Sequence, residues 1–236
     1  MAETPSPPPE NGPPPSKDLS DGLLDSGFDT RHKTWTHQDR PDLIFRDASV
    51  LPAGSEKSRE RHNRYEIFTK ALFALESYGI NIPGIGNARQ LDNGPRHDID
   101  NFQWETLYTV TRRVEGKNLH ENMTEIPAPV VLQTIEGMLR YYEDRLEDTS
   151  EDPYITDLGL GQMLYGKAPG DTQNSVYFID LELDQLDRRK DILNFDNAID
   201  KIERDIAKAE QIYHQDLDGY RQRLEQIEKE VRSRGH

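Results

Sequence analysis

The residues of this chain that could do chemistry gather in one stretch, Ile155 to Asp180, which reads ITDLGLGQMLYGKAPGDTQNSVYFID. Asp180 closes the apolar run SVYFI, and an acid at the end of such a strand must be solvated, ion-paired or metal-bound, because an unpartnered buried carboxylate is costly. Asp157 enters a turn with Gly159 and Gly161, where an aspartate serves equally well as a helix cap or a turn former. The two glycines do not make a phosphate cradle. The third position of the dinucleotide pattern G-x-G-x-x-G is Leu164, and the segment follows a helix rather than a strand. AGSEKS, residues 53–58, lacks the Gly-Lys-Ser/Thr end of a P-loop. With no cysteine in the chain, thiolate metal sites, disulfides and cysteine nucleophiles are excluded, and the seven histidines show no paired metal spacing. His97 and His120 fall in loops and carry no expected chemistry.

Several elements must position this stretch. DLIFRDASV, 42–50, has the short apolar character of a strand, and the helix after it places Tyr65, Phe68, Leu72 and Leu75 at three- and four-residue steps before Gly79 ends it. Pro83 holds INIPGI extended. ARQLDNGPRHDIDNFQWETLYTVTRRVEG then reads as strand, turn and strand, since DNGP is dense in turn formers and TLYTVTRRV in β-branched and aromatic residues. PAPVVLQTIEGMLRYYEDRLED opens with prolines and sets Val131, Ile135, Met138, Leu139, Tyr142 and Leu146 on one helical face. NSVYFIDLEL is an apolar run of strand length.

In that order of elements the chain from about Leu43 to Glu182 resembles the protein-kinase-like superfamily, including its small-molecule phosphotransferase branch: a strand, a helix, further strands, a hinge-like TRRVEGKNL, a long helix, a loop, a strand pair and an acidic turn. The resemblance implies two registers for ITDLGLGQ. Read as the metal-binding Asp-Phe-Gly turn, it leaves no room upstream for a catalytic loop. Read as the catalytic loop, it closes at both ends: Asp157 takes the place of the catalytic aspartate, and Gln162, five residues on, fills the slot of the asparagine in D-x-x-x-x-N. QMLYG, KAPGDTQN and SVYFID become strand, turn and strand, delivering Asp180 to the metal-binding position. The implied cofactors are ATP and Mg²⁺, with Gln162 and Asp180 as oxygen ligands. Arg46, twenty residues before Glu66, stands for the strand lysine that holds the phosphates and pairs with a helix glutamate, and Lys57 is a second candidate. The departures are specific: the glycine-rich lid is reduced to Gly27 in LLDSGFDT, the His-Arg before the catalytic acid is Ile-Thr, and the acidic turn reads DLE.

The rest of the composition sets the boundaries. Of 236 residues 33% are hydrophobic and 31% charged, with a formal charge of −15. Such an acidic balance argues against nucleic acid, which is bound through clustered cations, and EKSRERHNR, 56–64, intersperses its cations with glutamates. No apolar run is long enough to cross a bilayer and the first residues lack the pattern of a signal peptide, so a cytoplasmic, reducing compartment is expected. The first sixteen residues hold seven of the fifteen prolines, which predicts a disordered tail over 1–20. From Ile192 to Val231 apolar residues step by threes and fours with one extra four at Tyr213 to Leu217, a heptad seam with a stutter beside Gly219. One long bent helix or a helical hairpin satisfies it. The expectation is an α+β fold: a reduced kinase-like core over 21–186 and a helical coiled-coil or hairpin extension over 187–236. The seam offers a face for a second copy or a helical partner, unless it packs within the chain. Two functions follow from the resemblance: a pseudokinase or scaffold with a helical assembly region, or an active phosphotransferase on an unidentified acceptor.

Overall fold

The computed structural model describes residues 23–25, 34–93, 103–147, 154–155, 158–180, 186–187 and 192–234. The Pro-rich segment, Gly27, His97, the DNGP turn and Asp157 lie outside them. The fold is mixed α and β, as expected, and the chain divides into two compact units, one of residues 1–53 and 86–111 and one of 54–85 and 112–236. Among the described residues no helix is long and apolar enough to cross a membrane.

The first unit is a five-stranded sheet. Its strands β1 (Leu23–Asp25), β2 (Trp35–His37), β3 (Arg40–Pro52), β4 (Ile85–Asn93) and β5 (Gln103–Arg112) lie in the order β1-β2-β3-β5-β4. The two strands expected around DNGP are thus neighbours. One face carries a small aromatic core in which Phe45 and Tyr108 meet edge to face at 6.1 Å and Trp35 adds a second edge contact to Tyr108 at 5.7 Å.

The second unit is built around helices. Helix α1 (Glu56–Ala74) starts where Ser55 Oγ accepts the Ser58 N–H at 3.2 Å, and it runs through a 3₁₀ turn at Leu75–Tyr78 to Gly79, whose φ of 79° terminates it. Phe68, Leu72 and Leu75 are buried as their spacing requires, while Tyr65 is half-buried and its phenol is pushed up to about 12 by loss of water. Helix α2 (Ala128–Glu147) buries Val131, Ile135, Met138, Leu139, Tyr141 and Tyr142. It lies so close to the end of the α1 segment that a Cβ on Gly137 would stand 2.3 Å from the Tyr78 carbonyl oxygen.

Three strands, β6 (Glu115–Asn118), β8 (Met163–Lys167) and β9 (Ser175–Phe178), form an antiparallel sheet, and β7 (Tyr154–Ile155) pairs with β10 (Leu186–Asp187). Gly116 and Gly166 are partners across β6 and β8 because nothing larger fits: a Cβ on Gly166 would lie 2.1 Å from Glu115 O. The β8–β9 connection turns at Gly170, φ 91°, and Asp171 Oδ2 accepts the Ala168 N–H at 3.1 Å to close it. QMLYG, KAPGDTQN and SVYFID are therefore strand, turn and strand.

The C-terminal region is a pair of helices, α3 (Ile192–Tyr213) and α4 (Asp218–Arg234), joined by residues 214–217 and packed on each other and on α2. The stutter in the heptad pattern falls at this junction. Ile202, Ile206, Ala209, Leu224 and Ile227 are buried in the same core as Phe68, Ile135 and Phe178, so the seam packs within the chain. Arg223 of α4 reaches both Glu136 and Glu143 of α2, the second through two parallel bonds of 2.7 Å.

Candidate functional site

Described backbone groups on either side of residues 156–157 are bonded by side chains of other elements. Two adjacent tyrosines of α2 receive N–H groups: Ile155 N–H donates to Tyr141 Oη at 2.8 Å and Leu158 N–H to Tyr142 Oη at 3.2 Å. Leu160–Gln162 forms a single 3₁₀ turn closed by Gln162 N–H to Gly159 O at 3.1 Å. Its outer side is bound by Asn118 at the end of β6, whose Nδ2 donates to Gly161 O at 2.7 Å, and its inner side by Asp205 of α3, which accepts the Leu160 N–H at 2.7 Å. Gly159 packs against α3, where a Cβ would meet Lys201 at 3.2 Å.

From this turn Gln162 faces Asp180. The β8–β9 register opposes Met163 to Phe178, and Ile179 N–H donates to Gln162 O at 3.0 Å, so the hairpin brings the residues before β8 beside those after β9. The Gln162 Nε2 donates to Asp180 Oδ2 at 3.1 Å, and both side chains are partly buried. Of the residues singled out in the sequence, these two are brought together. Arg46 lies in β3 of the first unit, half-buried; Glu66 and Lys57 lie on α1 of the second, exposed.

The fit of this pair to a magnesium ion can be judged from the donors. A half-turn of the Gln162 amide about its terminal bond presents its carbonyl oxygen in place of its nitrogen, and that oxygen with an Asp180 oxygen makes two hard ligands of the kind Mg²⁺ takes, leaving its remaining positions to water and phosphate. Gln162, one methylene longer than asparagine, reaches Asp180 from the 3₁₀ turn. The donor set fits.

His120, expected to carry no chemistry, is instead bonded to a buried acid: its Nδ1 lies 2.6 Å from Asp205 Oδ1, and Lys208 Nζ donates to the His120 carbonyl at 2.6 Å. Asp205 is 3% exposed, and burial pushes its carboxyl up from the ordinary aspartate value, opposed by the Leu160 N–H and by His120. One signal for it was present in the sequence. Asp205 falls between Ile202 and Ile206 on the apolar stripe of α3, so a charged residue there had to find partners inside the fold.

Two other polar features of the second unit are accounted for differently. Glu210, Asp216 and Asp218 bring carboxylates together at the α3–α4 junction, where Arg221 bonds Glu210 and Asp218 as an ion-paired helix joint. A polar cleft of about 450 Å³ is lined by Glu76, Arg112, Asp171 and Tyr177, none of them among the candidate site residues. Neither a protein-family model nor a curated protein matches this sequence.

Proposed function

We propose that the chain is a divergent protein-kinase-like protein that binds Mg²⁺–ATP through Gln162 and Asp180 and transfers phosphate poorly or not at all. The observation that carries this reading is the Gln162–Asp180 contact across the β8–β9 hairpin. An acid and an amide eighteen residues apart meet because strand, turn and strand fold back between them. Bound there, magnesium would supply charge neutralisation for the nucleotide phosphates, with Asp180 and Gln162 as its protein ligands. The backbone anchors from Asn118, Asp205 and Tyr142 hold the loop that carries Gln162. The finer fold, a reduced kinase-like core, belongs to the same proposal, as does Asp157 as the residue orienting an acceptor.

Weak transfer follows from the sequence departures: Ile155-Thr156 stands where a His-Arg pair supports the catalytic acid, Gln162 where the family has asparagine, and Glu182 where it has glycine. Among the described heptad residues, Ile202, Ile206, Ala209, Leu224 and Ile227 are buried within the chain, and this reading needs no assembly surface. The test is a thermal-shift titration with Mg²⁺ and ATP, run beside a phosphotransfer assay. The native chain is expected to rise in melting temperature with both ligands present, and Asp180→Ala to lose that rise. An unchanged native melting temperature sinks the reading. Rapid transfer to an acceptor replaces the pseudokinase with an active phosphotransferase at the same site.

A further inference from the structure

The 3₁₀ turn that presents Gln162 is gripped by a closed circuit of hydrogen bonds. Leu160 N–H donates to Asp205 Oδ2 at 2.7 Å, and the other oxygen of the same carboxylate meets His120 Nδ1 at 2.6 Å. The His120 N–H donates to Asn118 Oδ1 at 3.0 Å, and Asn118 Nδ2 donates to Gly161 O at 2.7 Å. Gly161 follows Leu160, so the path returns to its start, and Gln162 is the next residue along the chain. Two successive residues of the turn are thus held through groups of opposite sense, an N–H on one and a C=O on the other, by side chains from different elements.

Asn118 belongs to β6 and Asp205 to α3, and the imidazole of His120 joins the two sides of the circuit. The His120 side chain is 37% exposed against 4% for Asp205, so it contributes little to the apolar core, and its strong directional contact is to a carboxylate that the core would otherwise hold at considerable cost. The cations around it are on α3: Lys208 on its carbonyl, Lys201 against Gly159, and Arg204 close enough to act on Asp205.

We infer that His120 is a positioning residue for the metal–nucleotide site: by tying the β6 turn to Asp205 it fixes the Leu160–Gln162 turn and so holds the Gln162 amide against Asp180. The inference rests on reading Gln162 and Asp180 as that site. It assigns the imidazole a task that is mechanical, acting through Asp205 and the loop backbone and touching neither metal nor nucleotide.

The experiment compares the full-length native chain with His120→Ala, His120→Leu and His120→Asn, ¹⁵N-labelled, with three readouts. These are the side-chain amide resonances of Gln162, the exchange rate of the Leu160 N–H, and the dissociation constant for Mg²⁺–ATP. Alanine and leucine are expected to shift the Gln162 resonances, speed Leu160 exchange and weaken Mg²⁺–ATP by roughly tenfold, the lower range for loss of a partner behind a metal ligand. Asparagine carries an N–H donor where His120 has Nδ1 and is expected to restore all three readouts toward native. Gln162 resonances and Leu160 exchange that stay native in His120→Leu overturn the inference, and so does an asparagine variant that behaves like leucine. Leucine keeps apolar volume at the position, so the comparison survives if alanine fails to fold. If the native chain binds no Mg²⁺–ATP, the metal reading fails, while the Gln162 and Leu160 signals still decide the role of His120.

Discussion

Gln162 and Asp180 stand at the two ends of the β8–β9 hairpin and are bonded to each other, Nε2 to Oδ2, at 3.1 Å. Substituting Gln162 by alanine removes the amide and leaves Asp180 without this donor. Mg²⁺–ATP affinity is expected to fall by roughly tenfold or more, since even a partner behind a metal ligand is worth that much. The accompanying loss of stability should be small, about 1 kcal/mol for one partly buried hydrogen bond. Isothermal titration beside urea denaturation separates the two effects.

Gly137→Ala tests a close approach of backbone to helix in the second unit. The added methyl would stand 2.3 Å from the Tyr78 carbonyl oxygen, which is main chain and cannot swing aside. Alanine is the better helix former, so propensity alone predicts a gain of about 1 kcal/mol. Overpacking of about 1–3 kcal/mol opposes it, and at a backbone contact this short the upper end applies. A net fall in melting temperature is expected, and a rise would contradict the packing of α2 on Tyr78.

Tyr141→Phe keeps the ring, its edge contacts with Tyr78 and Tyr142, and nearly all of the packing. What it removes is the oxygen that accepts the Ile155 N–H at 2.8 Å in a buried setting. A buried donor left without its acceptor costs about 1–3 kcal/mol. Chemical denaturation should show that loss, and hydrogen exchange should show it concentrated at Ile155 rather than along α2.

The α3–α4 junction should loosen in acid. The guanidinium of Arg221 bonded to Glu210, helped by the Leu217 N–H, holds the Glu210 carboxyl below its ordinary value. A depressed folded pKa stabilises the fold fully above the unfolded value of about 4.3, and that contribution is lost as pH falls through the lower folded value. Asp205, whose pKa is raised, acts in the opposite sense, its cost appearing as pH rises through the aspartate range. The measurement is therefore a difference: the denaturation midpoint of the native chain minus that of Glu210→Gln, largest above about pH 5 and shrinking below the glutamate range. A difference that does not change with pH would contradict the assignment.

Sedimentation of the full chain is expected to return the monomer mass of 27.2 kDa. The heptad residues Ile202, Ile206 and Ala209 are fully buried inside one chain and offer nothing to a second copy. A dimer broken by Ile206→Asp without unfolding would show that the helices open to pair between chains.

Sequence pattern located α1, α2, β8 and β9 because each rests on local periodicity or turn chemistry: Tyr65, Phe68 and Leu72 mark α1, Val131 through Tyr142 mark α2, and the polar KAPGDTQN separates two apolar strands; it missed β6, whose polar EGKN reads as a connection, and the two-residue β7. The heptad steps located the last helices but left open whether they fold back, since a stutter is compatible with a bend or a break. The junction at 214–217 settles it as a break. Asp180 was legible as an acid that must find a partner, and Gln162 through its spacing in a resembled motif.

What the residues alone determined is therefore the long helices and the β8–β9 hairpin, the acid that follows its second strand and the absence of cysteine chemistry, all properties carried within a few turns of chain. Tertiary structure decided the rest: that Asp205 meets His120 across 85 positions, that Asn118 and Asp205 grip successive residues of one turn, and that the seam closes inside the chain. Such contacts are set by how helices and strands pack, and a buried carboxylate takes whichever donors that packing brings within reach, so no local pattern around His120 could announce its partner.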